Sequence, residues 1–157
     1  MAARSHLKLR GFARLQMGER DAQGNVRIVG DSGWRKNTIC ADGFQSYIVG
    51  SVGAVAGSKQ VSHMVLATQS SAVNSASTSL VGETRVRKAV TPSFVANGTL
   101  QLTGSWSSSD NTAAITIGSI ALYNHLTTGT MCSAASFTTS QWASNQDLSA
   151  TYQLRFS

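Results

Sequence analysis

Few side chains in this chain stand at spacings that could do chemistry. The three histidines, His6, His63 and His125, are far apart, and none has a carboxylate or cysteine at ligand spacing. No His-x-x-x-His, Cys-x-x-Cys or Asp-x-Asp set is present, so no zinc centre is expected. Asp110 and Asn111 share a turn and could lend oxygens to calcium, which accepts loop ligands. An enzyme needs acid, base or nucleophile groups that converge. The seven carboxylates form no local pair; distant ones could meet in the fold, since a retaining glycosidase needs them only ~5 Å apart. There is no Gly-x-Ser-x-Gly elbow and no phosphate-cradling glycine loop. The expectation is a non-enzymatic protein with no catalytic residue, metal or cofactor.

Two other groups could serve binding. Glu83 with Arg85, Arg87 and Lys88 is the densest charge group, and reads either as an ion pair at a strand start or as a contact to another subunit. Among Trp34, Trp106 and Trp142, the last lies in a Ser/Thr/Gln-rich stretch and is expected to be partly exposed. There it could anchor a protein or a sugar, or simply lid the core. His63 shares the parity of Val61 and Val65 and reads as half-buried. Asn97-Gly-Thr matches a glycosylation sequon but reads as a hairpin turn.

These residues must be positioned by β-structure. Leu7, Leu9, Gly11, Ala13 and Leu15 alternate with Lys8, Arg10, Phe12 and Arg14, giving a half-buried strand with a basic outer face. Further strands are expected at 26–29, 34–40, 61–67, 85–91, 99–106, 114–123, 130–137 and 149–156, with turns at 21–25, 31–33, 97–98, 107–112 and 124–129. Pro92 marks the end of its strand. The run 114–123 is apolar on both faces. One short helix is expected over Gly43–Val49, capped by Asp42, with Phe44, Ile48 and Val49 inward. Residues 68–78 have no period and read as a long surface loop, functional or ordered by a neighbour. Eight to nine strands at this spacing make an all-β chain, a single antiparallel β-sandwich, jelly-roll-like, in one domain over 1–157 with an arm at 1–6.

Charge bounds the partners. Charged residues are 13% of the chain against a typical ~25%, which hints that neighbours cover part of the surface. Net charge is +6, and residues 1–36 hold Arg4, Lys8, Arg10, Arg14, Arg20, Arg27, Arg35 and Lys36 against Glu19, Asp21 and Asp31. That asymmetry favours an acidic partner for the N-terminal region. No Lys/Arg run carries interleaved aromatics, so an acidic protein surface is expected ahead of nucleic acid. Cys40 and Cys132 are expected to be reduced and buried. Met1–Lys8 has no apolar core of a secretory signal, and no run suits a membrane span.

Ile120-Ala-Leu-Tyr-Asn124, Gly129-Thr-Met131, Phe137 and the closing Tyr152-Gln-Leu-Arg-Phe156 resemble a family of small virion proteins of tailed bacteriophages, described as tail-fibre, collar or head-decoration proteins. Val61-Ser-His-Met-Val-Leu-Ala67 and Leu80-Val-Gly-Glu83 followed by Arg85, Arg87 and Lys88 extend the resemblance over about residues 7–157. Two positions depart from it: Ala67-Thr-Gln-Ser70 stands where the family has a Gly-Thr-Gly turn, and Ser119 where it has an acid. The resemblance implies a structural virion protein, assembled in the host cytoplasm. Its partners would be capsid or tail proteins and further copies of itself, as a trimer by family analogy. On this reading Lys8, Arg10 and Arg14 dock onto an acidic particle, Glu83, Arg85, Arg87 and Lys88 meet another subunit, and the loop 68–79 and N-terminal arm bridge neighbours. Compactness favours a head decoration protein; the alternative is a tail, collar or fibre component that binds a host receptor or glycan, using Trp142.

Overall fold

The computed structural model describes residues 8–157, apart from the side chain of Arg85; the expected N-terminal arm lies outside the described residues. The chain forms two packed antiparallel sheets and one short helix. In chain order the strands are β1 (Leu9–Arg20), β2 (Val26–Asp31), β3 (Arg35–Lys36), β4 (Thr38–Ile39), β5 (His63–Ala67), β6 (Glu83–Ala89), β7 (Thr91–Ala96), β8 (Thr99–Trp106), β9 (Ile115–Tyr123), β10 (Met131–Trp142) and β11 (Gln146–Phe156). The first sheet runs β2-β1-β11-β8-β7, with β3 also on β1; the second runs β4-β10-β9-β5-β6. The pairs β1·β11, β4·β10 and β5·β9 nest inside one another along the chain, as in the rolled hairpin of a jelly roll.

Alternation decides which side of each strand is buried. Ala13, Leu15 and Met17 of β1 point inward, while Arg10, Phe12 and Arg14 point out. Leu102, Trp106, Leu148 and Tyr152 of the first sheet meet Leu66, Ile117, Ile120, Leu122 and Phe137 of the second. Burying each such side chain contributes about 1.5–3 kcal/mol. The expected strand 34–40 is two short pieces, β3 and β4, because the chain crosses here from the first sheet to the second.

The second sheet is buried on its other face as well. Residues 68–82 fold back across it as a strap, and Leu80 and Val73 cover Val65, Ala67, Ala121, Tyr123, Met131 and Ala134. Thr38 Oγ1 donates to Val73 O (3.1 Å) and Ser136 Oγ to Ser71 O (2.9 Å). The long loop is thus ordered by its own sheet, where the sequence left it functional or ordered by a neighbour. It also explains the two-sided apolar pattern of 114–123.

Two local expectations are corrected. The helix, α1, spans residues 41–52 with a π-helical middle, Phe44–Val49. Cys40 occupies the N-cap and Asp42 the first turn, without a side-chain cap bond. Its inward residues are Gly43, Tyr47 and Gly50, whereas Phe44 and Val49 are exposed. A Cβ on Gly43 would lie 1.9 Å from the carbonyl oxygen of Cys132, so close backbone approach, together with the burial of Tyr47 and the packing of Ile48, orients the helix. Pro92 does not end a strand. The chain breaks earlier, between Ala89 and Thr91, and Pro92 sits in β7, an edge strand that tolerates a missing N–H. Among the described residues no helix is long and apolar enough to cross a membrane.

Candidate docking face

The solvent side of the first sheet gathers the basic residues that the sequence singled out. Register places its outward side chains in rows across the strands. Arg10 stands opposite Arg155, Phe12 opposite Gln153 and Lys36, and Arg14 opposite Thr151. Across the next pair, Gln153 faces Gln101, Thr151 faces Thr103, and Ser149 faces Ser105. Lys8 shares the parity of Arg10 and is held by backbone bonds to Ser157, 2.6 and 2.9 Å. Strands lie about 4.8 Å apart, so these rows form a nearly continuous polar plane.

Within the plane the cations divide into neutralised and free. Arg14 donates through Nε to both oxygens of Asp31 (2.9 and 3.1 Å), with Nη2 bonded to Oδ2 as well. Gln16 Nε2 adds a bond to Asp31 at 3.1 Å. The Arg14 bonds, assisted by the backbone N–H of Gly33, hold the Asp31 carboxyl down at about 2. Arg14 is therefore spoken for: Asp31 balances its charge, which leaves it less free for an outside partner than its place in the sequence implied.

Arg155 takes its place. Its guanidinium lies 4.4 Å from the Phe12 ring centroid and 5.9 Å from that of Trp34. It donates from Nε and Nη2 to Gln153 Oε1 at 3.0 and 2.6 Å, and Gln153 Nε2 donates on to Gln101 Oε1 at 2.9 Å. This relay fixes Arg155 while leaving it exposed. Among the described residues no carboxylate forms an ion pair with Lys8, Arg10, Lys36 or Arg155. Arg10 and Arg155 stand opposite in register, and the Arg155 guanidinium lies over Phe12 and on Gln153.

The other charge group does internal work. Arg87, only 8% exposed at its side chain, pairs with Glu83 through Nη2 (2.9 and 3.0 Å) and Nε (3.2 Å). Its Nη1 donates to the carbonyls of His125 and Thr128 at 3.0 and 2.6 Å, and its guanidinium stacks 3.8 Å from the Tyr123 centroid. Arg87 so ties the β9–β10 turn to β6. Lys88 reaches Asp110 at 2.7 Å. Of the expected subunit-contact residues, Glu83, Arg87 and Lys88 are satisfied within the chain; the side chain of Arg85 is outside the described residues.

The remaining candidates separate cleanly. Trp142 is 0% exposed, its Nε1 donating to Gln146 O at 2.8 Å, so it is no surface anchor; β10 simply continues through it into the core. Trp34, 42% exposed beside Arg155, is the aromatic on the face. Asp110 is engaged by Lys88 and by the backbone N–H of Ser107 at 2.8 Å, which commits it to the turn. Among the described residues no three His, Cys, Asp or Glu side chains cluster as metal ligands would. Cys40 and Cys132 are free and buried. Burial pushes their thiols up to about 11 and about 12, so neither is a thiolate near neutrality.

Sequence reasoning placed Phe12 on the outer side of the first strand but missed Lys36 and Arg155 as members of this face, because period alone does not set β3 and β11 beside β1. Comparison with family models, with curated proteins and with solved structures finds no match.

Proposed function

We propose that this protein is a non-enzymatic structural component of a tailed-phage virion, a head decoration protein that attaches to an acidic particle surface through the outer face of its first sheet. The observation that carries the reading is the Arg10–Arg155 pair, set with Lys8 and Lys36 on a plane where, among the described residues, they meet no carboxylate partner. The attachment chemistry is electrostatic, with Phe12 and Trp34 lowering the local water content around the cations. Five carboxylates hold structure, which supports the non-enzymatic reading: Asp21 in its turn, Asp31 with Arg14, Glu83 with Arg87, Asp110 with Lys88, and Asp147 with Arg20. The virion part of the reading rests on the sequence resemblance.

A tail, collar or fibre component that binds a glycan is the second reading. Trp34, 42% exposed beside Arg155, favours it, because sugars take aromatic faces next to a few polar donors. Immunogold labelling of intact particles separates the two. Label over the head is the expected result. Label confined to neck or tail would move the assignment to the second reading, and no label on the particle would overturn both.

A further inference from the structure

We propose that the free edge of β7 is where a second copy of this chain docks, extending the first sheet and bringing Phe94 of each copy to the other's apolar groove. This goes beyond the docking reading and stands without it. Strand β7 is paired on one side only, by β8, and all six of its residues are exposed. A sheet edge of this kind offers unpaired N–H and C=O groups that another strand can satisfy.

The side chains beside that edge are apolar and unfilled. Phe94 is 88% exposed. It stands opposite Leu100, which stands opposite Leu154, so all three share the inner face of the sheet. Next to it is an open groove of about 450 Å³, floored by Pro92, Leu100, Leu102 and Leu154 and roofed by Ile48 and Val52 of α1. Val52, on the far lip, is also 88% exposed. A knob and a hole on one edge are both filled when the partner carries the same pair, which a second copy does. Antiparallel pairing of β7 with β7 about a twofold axis normal to the sheet keeps both grooves on the same side.

Charge points the same way. From Ala89 to Ser109 the chain has no charged side chain. Two copies at +6 repel, and the repulsion is least along this strand, which presents no charge; the one charged residue that lines the groove is Lys59. An uncharged edge equally offers nothing to a strongly charged partner. Pro92 removes one donor, and the register shifts between Phe94 and Ala96. Both shorten the ladder that forms, so the ring of Phe94 decides affinity.

Sedimentation velocity over roughly 1–300 μM, bracketing the range of small interfaces, tests this. The wild-type chain is expected to pass from monomer to dimer as concentration rises. Phe94→Asp and the uncharged Phe94→Ser should each weaken the dimer at least about tenfold, with unchanged circular dichroism. Arg10→Glu with Arg155→Glu should leave the dimer intact, which keeps this result separate from the docking face. A wild type that is monomeric throughout would overturn the proposal, as would a Phe94→Asp or Phe94→Ser variant that associates like the wild type.

Discussion

Arg87 illustrates how a residue picked out by charge can serve the fold. Glu83 and Arg87 are four apart on β6, which bulges between Thr84 and Lys88 against Leu66 and Met64 and so draws the two side chains together. The remaining donors of the arginine then hold the turn carbonyls of His125 and Thr128. Replacing it with Met keeps the volume but leaves those acceptors and Glu83 without their donor. Glu83 is 30% exposed and can rehydrate, so the loss should be smaller than for a fully buried pair, about 2–3 kcal/mol. Urea unfolding of Arg87→Met measures it; a change under about 0.5 kcal/mol would show the clamp to be idle. Charge density alone made Glu83, Arg87 and Lys88 visible in the sequence. Their direction was not, because it depends on where the turn at 124–129 lands. Trp142 misled for the related reason that a polar neighbourhood in sequence can be the hairpin end that buries a ring.

At the scale of elements, the strap 68–82 carries most of what period alone could not tell. Strands β1, β8 and β11 were legible because period 2 survives where one face is buried, and β9 because a short apolar run marks a strand buried on both faces. The strap has no period, since it lies on the sheet by a few apolar residues and backbone bonds, as Val73, Leu80 and Ser71 do. Helix α1 was legible in place but turned about its axis, because two of its contact residues are glycines and carry no hydropathy. Gly118 tests the strap directly. A Cβ there would meet the carbonyl oxygen of Gln69 at 2.5 Å, so Gly118→Ala must push the strap off β9. The expected cost is about 1–3 kcal/mol, with faster proteolysis inside residues 68–82. An alanine variant with wild-type stability and cleavage would mean that the strap is not held there.

Over the whole molecule, the surfaces divide by chemistry. One sheet is covered by the strap, the other carries a plane of cations, hydroxyls and amides, and β7 leaves an uncharged apolar edge. The basic half of this pattern was legible from residues 8–14. Its completion by Lys36 and Arg155 was not, because the first and last strands of a jelly-roll pair are joined only by the closing of the fold. An exposed plane of this kind acts at short range, and salt weakens it as the screening length falls from about 10 Å at 0.1 M to about 3 Å at 1 M.

The most direct measurement is co-sedimentation of the purified protein with virions assembled without it, for the wild type and for Arg10→Glu with Arg155→Glu, at low and high salt. The account predicts saturable wild-type binding that weakens steeply with salt, and at least about a tenfold loss in the charge-reversed variant. Binding by that variant at wild-type strength, or wild-type binding indifferent to salt, would contradict it.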